Sequence, residues 1–162
     1  MNLLKKLLAA TVAASALAVP AVARVEAGTP RLIETAIEHG MSFQYNTERC
    51  DGGGFHGSYH GRTRTITLCY QIADAEAHDT VRHEIWHGIQ HCAAEKRGTT
   101  FLPVASSEDL MPFVESQLTP GHINRIKRSY PKHAWLTEFE AFAAAEAYTA
   151  EQMSQLLRGW CS

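Results

Sequence analysis

The segment Arg82-His-Glu-Ile-Trp-His-Gly-Ile-Gln-His-Cys92 gathers three histidines, a glutamate and a cysteine, all side chains able to meet a metal ion. In an α-helix neighbours are turned by about 100°, so His83 and His87 lie about 40° apart on one face. Two imidazoles one turn apart can share a single zinc at roughly 2.0–2.1 Å each. Val81, Ile85, Ile89 and Cys92 fall on the other side, which the helix is expected to bury. Glu84 sits at the edge of the histidine face. It is poorly aimed to be a third ligand with those two, and well aimed to touch a water beside the metal. His91 repeats the spacing, but on a straight helix it lies about 12 Å along the axis from His83. Three such histidines cannot converge on one ion, so His91 and Gln90 are expected to support the site or face solvent.

This arrangement is HExxH, whose mechanism is two histidine ligands and a glutamate general base. Over residues 58–148 the chain resembles the zincin metallopeptidases, and most closely small exported gluzincin-like domains. The metzincin subclass is excluded, because its glycine and third histidine positions hold Gln90 and Ala93. The resemblance implies an α+β fold, mostly helical, with a small antiparallel sheet or hairpin packed on the HExxH helix. It implies one zinc per chain on His83 and His87, Glu84 as the base, and a protein or peptide substrate.

A catalytic zinc takes three protein ligands and keeps one position open. The stretch WLTEFEAFAAAEAY offers Glu138 and Glu140. With Trp135, Leu136, Phe139, Phe142 and Ala143 as the core stripe, the two carboxylates flank it almost symmetrically, and periodicity does not choose between them. The resemblance does: in the ExxxD form of the family pattern the first Glu binds zinc, which here is Glu138. The Asp of that pattern is replaced by Phe142. A second oxyanion donor is usual in the family, and Tyr130, His122, His133 and Arg125 are the candidates. Trp86 is expected to wall the site. His56 and His60 can form a second, weaker metal site.

Two other readings use the same residues. One is a module that holds zinc for structure or partner binding without turnover. The other is a disulfide-stapled interaction domain in which HExxH is accidental. Glu84 favours the enzyme, because a structural metal site has no need of it.

The elements that must position these groups are readable from pattern and punctuation. Residues 31–38 are expected to form a helix with Thr29 as N-cap, Pro30 at its first position and Gly40 past its end. FQYN reads as a short strand, and the glycine-rich residues 48–62 as a loop or wide turn. Residues 63–70 alternate cleanly and read as a half-buried strand. Residues 74–97 form the long HExxH helix, stopped by Gly98. Further helices are expected at 108–117, from Pro120 to about Ser129, from Lys132 to about Tyr148, and from a Thr149–Gln152 capping box to about Arg158.

The chain opens with Lys5 and Lys6, an apolar run over residues 7–19 and Ala21-Val22-Ala23, the pattern of a signal peptide cleaved after Ala23. Residues 24–162 are then a single exported domain, periplasmic or secreted, with no membrane anchor left. Its four cysteines point to disulfides in an oxidising compartment. Three pairings are possible. Cys50–Cys69 closing a hairpin, with Cys92–Cys161 tying the C-terminus to the HExxH helix, is favoured. The chain carries 15 Lys and Arg against 17 Asp and Glu, and losing Lys5 and Lys6 makes it more acidic. A nucleic-acid partner is excluded on that balance.

Overall fold

The computed structural model describes residues 21–51, 56–69 and 75–162. The apolar run over residues 7–19, Tyr70, Asp74 and part of the glycine-rich stretch lie outside the described residues. In chain order the elements are α1 (Ala21–Glu38), β1 (Ser42–Tyr45), a 3-10 turn (Glu48–Cys50), β2 (Gly57–His60), β3 (Thr65–Leu68) and α2 (Ala75–Arg97). Then follow α3 (Leu110–Gln117), α4 (Pro120–Ser129), a 3-10 turn (Lys132–Ala134), α5 (Trp135–Ala147) and α6 (Ala150–Cys161). The protein is α+β and mostly helical, with one small sheet.

That sheet is mixed rather than antiparallel. Its order is β1-β3-β2, with β1 parallel to β3 and β2 antiparallel to it. The alternation in residues 63–70 reveals β3 but not its partners. β2 lies inside the glycine-rich stretch, where Ser58, Tyr59 and His60 give the chain enough side chains to pair. β3 is central: Ile66, Thr67 and Leu68 are all buried. Among the described residues β2 is an edge strand beside α2, paired on one side only.

The first helix also differs from its expected form. It runs from Ala21 through Pro30, which lies inside it, so the predicted cleavage point falls in its first turn. Proline costs the helix a backbone hydrogen bond, and tertiary contacts compensate. Thr29 does not cap a terminus. It is fully buried and shares a 2.8 Å hydrogen bond with His78 Nδ1 of α2. α1 packs on α6, where Arg158 donates to the Thr35 hydroxyl and the Cys161 carbonyl accepts from His39 Nδ1.

Two apolar clusters organise the rest. Leu32, Ile66, Leu68, Val81, Ile85, Ile89, Met153 and Leu157 join α1, the sheet, α2 and α6. Leu110, Val114, Leu118, Ile126, Phe139 and Ala143 join α3, α4 and α5. α2 packs against α5 and carries the histidine face toward it. No helix among the described residues is long and apolar enough to cross a membrane.

The disulfides are Cys50–Cys69 and Cys92–Cys161, and no cysteine is free. Both fit an oxidising compartment. The second spans 69 residues and the first 19. Chain entropy therefore predicts about 4 kcal/mol for Cys92–Cys161 and about 3 kcal/mol for Cys50–Cys69. Urea unfolding of the two double Cys→Ala variants should rank them in that order. The reverse order would show that local packing, not loop closure, dominates.

Candidate metal centre

α2 is buried on nearly every side, unlike a helix with one wet face. Val81, Ile85 and Ile89 enter the core, while His83, Glu84, His87 and Gln90 are buried beneath α5 and β2. His83 Nε2 and His87 Nε2 approach to 3.1 Å. The Glu138 carboxylate completes a triangle, with Oε2 3.3 Å from His83 Nε2 and Oε1 3.5 Å from His87 Nε2. Ligand atoms held tetrahedrally at 2.0–2.1 Å from zinc stand about 3.3–3.4 Å apart. The triangle matches that spacing. This is the one group among the described residues with the ligand atoms to hold a metal ion.

Hydrogen bonding fixes how His87 is presented. The Gln90 amide Nε2 donates to the Thr137 carbonyl and to Glu140, both pure acceptors, so the amide has one orientation. Its Oε1 then faces His87 Nδ1 at 2.8 Å and accepts from it. Neutral His87 therefore carries its proton on Nδ1 and turns a bare Nε2 toward the triangle. Glu138 Oε2 is buried without a hydrogen-bond donor. Converging lone pairs and a buried carboxylate oxygen fit a cation at their centre.

The acid–base balance says the same. Burial alone would push His87 down, but the adjoining Glu138 carboxylate, with Glu84, carries it up to about 9. Burial alone would push Glu138 up, but His83 and His87 hold it down to about 2. A point that favours a proton so strongly favours a metal ion too, and the two compete for it.

His83 is supported differently. Its Nδ1 is buried without a hydrogen-bond partner, and its ring packs on Phe142 with centroids 4.2 Å apart. Phe142 therefore supports His83 by ring contact.

Glu84 lies between α2 and the edge strand. A side-chain carbon on Gly57 would come within 3.0 Å of Glu84 Oε1 and 2.6 Å of the Thr80 methyl, so only glycine lets β2 approach here. The backbone of Tyr59 donates a hydrogen bond to the Glu84 carboxylate. Burial pushes this carboxyl above its ordinary value, while the neighbouring imidazoles and the Tyr59 bond pull it back.

Glu140 has another role. It is fully buried and accepts from Trp86 Nε1, Gln90 Nε2 and the backbone N–H groups of Val104 and Ala105. Trp86 accordingly does not wall the site: its indole stacks on Tyr148 and holds Glu140. Leu136, expected in the core stripe, is 51 % exposed.

Two hollows border the His83–His87–Glu138 group. One, of about 550 Å³, is lined by His83, Glu84, Tyr130, His122 and Arg125. The other, of about 300 Å³, is lined by His87, Glu138, Tyr59 and Phe101. Of the candidate oxyanion donors, Tyr130, His122 and Arg125 reach the larger hollow, whereas His133 is exposed and lines neither. Tyr130 is the one whose electrostatics are coupled to Glu138 and Glu84. Burial first, then the charges of Glu138 and Glu84 and a hydrogen bond to Glu138, hold its phenol above the ordinary value. His56 lines the larger hollow and His60 pairs with the Thr63 hydroxyl; they do not join the metal cluster. His91 is no ligand and instead bonds the Tyr59 hydroxyl at 2.8 Å. Sequence reasoning missed Tyr59 and Phe101, and no motif marks either.

Comparison with known proteins gives no match to any family model, curated protein or solved structure.

Proposed function

We propose that this chain is an exported zinc metalloendopeptidase of the zincin type, which hydrolyses peptide bonds with Glu84 as general base. The observation that carries the reading is the His83–His87–Glu138 triangle at tetrahedral spacing with the Glu84 carboxyl beside it. Two nitrogens and one carboxylate oxygen are the donor set of a catalytic zinc. Bound zinc supplies a Lewis acid that brings the pKa of water toward 7 and polarises a carbonyl. Glu84 takes the proton of the attacking water and returns it to the leaving amine. The Tyr130 hydroxyl donates to the carbonyl oxygen as charge develops there. Hollows on both sides of the centre give a polypeptide room to pass through, which favours cleavage within a chain. The disulfides and the leader pattern support export.

The test is elemental analysis of tag-free protein beginning at Arg24, together with cleavage of an unfolded protein with and without chelator. Wild type is expected to hold about one zinc and to lose cleavage with the chelator. His87→Ala and Glu138→Ala are expected to stay folded and lose zinc. A folded wild type that takes up no zinc when the metal is supplied would overturn the reading.

A further inference from the structure

The helix α4 and the turn after it carry charges that neither the fold nor the metal centre uses. Arg125, Lys127, Arg128 and Lys132 follow one another here, with His122 and His133 at either end, and no Asp or Glu stands between Glu115 and Glu138. All six side chains are exposed. None of them is in an ion pair among the described residues, whereas Arg64 pairs with Glu95 and Arg82 with Asp79. Lys96 and Arg97 are likewise engaged, by backbone carbonyls. The whole chain is slightly acidic, with 17 Asp and Glu against 15 Lys and Arg, so the concentration of positive charge is local. Like charges this close repel one another, and a partner of opposite charge relieves the repulsion.

Packing decides where these cations face. Ile126 is buried and Ile123 half-buried against the apolar cluster of α3, α4 and α5, which leaves Asn124, Arg125, Lys127 and Arg128 on the outer arc of α4. Lys127 lies over the rings of Trp135 and Phe139, at 5.7 and 5.9 Å, with its ammonium group in water. His122 and Arg125 line the larger hollow together with His83 and Glu84, so the cationic face begins at the metal centre and runs outward from it. Asp79 and Glu146 line the same hollow from α2 and α5, and Asp79 is held by Arg82. The unpaired positive charge is therefore on the α4 side. A flat bilayer fits this surface poorly. His122 and Arg125 open into a concavity, and of the large apolar side chains in residues 120–139 only Leu136 is exposed, too little to insert. An extended polypeptide can leave the hollow and follow the helix.

We infer that the cationic face of α4 is a docking surface for an acidic segment of the polypeptide substrate, which it holds to one side of the metal centre. The inference rests on the peptidase reading for the fate of the bound chain, but on Arg125, Lys127, Arg128 and Lys132 for its selectivity. Carboxylates along the segment meet unpaired guanidinium and ammonium groups, which speeds encounter and sets partner choice.

The test uses the zinc-loaded full mature chain and two dye-labelled peptides of equal length, one alternating Glu with Ser and one alternating Gln with Ser. Binding is followed by fluorescence anisotropy. Wild type is expected to bind the Glu peptide about tenfold more tightly at low salt, with the difference shrinking as ionic strength rises. Arg125→Gln combined with Arg128→Gln is expected to remove most of that preference. Arg31→Gln combined with Arg62→Gln takes the same charge from exposed positions on α1 and the β2–β3 turn, and is expected to leave it. An oligothymidylate and vesicles of anionic phospholipid are expected to bind more weakly than the Glu peptide. Equal affinities for the two peptides, equal effects of the two double variants, or tighter binding of the oligonucleotide or the vesicles would overturn the proposal. Peptide binding needs no turnover, so the two readings fail separately. A chain that prefers the Glu peptide and cleaves nothing counts against the peptidase reading alone, and one that cleaves without the preference counts against the docking surface alone.

Discussion

Glu140→Ala is expected to cost about 3–5 kcal/mol, a large share of a small domain's stability, and to loosen the metal centre as well. Glu140 has no solvent exposure and collects four donors from two parts of the chain, α2 and residues 104–105. Truncation leaves Trp86 Nε1 and one of the two Gln90 Nε2 hydrogens, the other still bonded to Thr137, buried without an acceptor, and takes the acceptor from two half-buried backbone N–H groups. Each such orphan costs about 1–3 kcal/mol, partly relieved by local rearrangement. The damage then spreads along a defined route. Glu140 orients Gln90, Gln90 sets the tautomer of His87, and His87 is one corner of the triangle. Removing such a supporting bond typically weakens metal binding about tenfold to a hundredfold. Glu138→Ala should lose zinc but, with both variants compared metal-free, should lose less stability than Glu140→Ala, because that side chain supports no backbone. Unfolding curves and zinc titrations of the two variants measure the contrast. Equal stability losses would show that Glu140 is not the structural member of the pair.

This contrast also shows what the sequence could and could not tell. His83, Glu84 and His87 were legible because helical geometry alone puts them on one side of α2. Glu138 and Glu140 were not separable by periodicity, since both flank the core stripe of α5. What separates them is the position of residues 104–105, a backbone segment no pattern predicts, whose N–H groups take one carboxylate and leave the other to the imidazoles. The helices α2, α4 and α6 were legible from Gly98, the Thr119-Pro120 start and the Thr149–Gln152 capping box, all of which are local signals. β2 and the parallel pairing of β1 with β3 are non-local. Glycines hide the first, and nothing in a single strand's alternation states the direction of its partner. Pro30 misled for the same reason: a strong local start signal is overridden where Thr29 is buried against His78.

Glu84→Gln is expected to keep its zinc, keep its fold and lose peptide cleavage by about 10²–10⁴-fold. The amide matches the carboxylate in shape, and its oxygen can still accept the bond from the backbone of Tyr59. It therefore fits the narrow space that Gly57 leaves between β2 and α2. What it lacks is basicity. Glu84 is 5 % exposed, and burial raises its carboxyl, which makes it a stronger base than an ordinary glutamate. Burying an amide costs less than burying a carboxylate, so the melting temperature should not fall. A merely structural Glu84 predicts a different set of results, with lowered stability, altered zinc content and cleavage reduced only in proportion to the folded fraction. Zinc analysis, thermal melting and the cleavage rate, read on one preparation, separate the two. Loss of zinc would make Glu84 a ligand, and undiminished cleavage would remove it from the chemistry altogether.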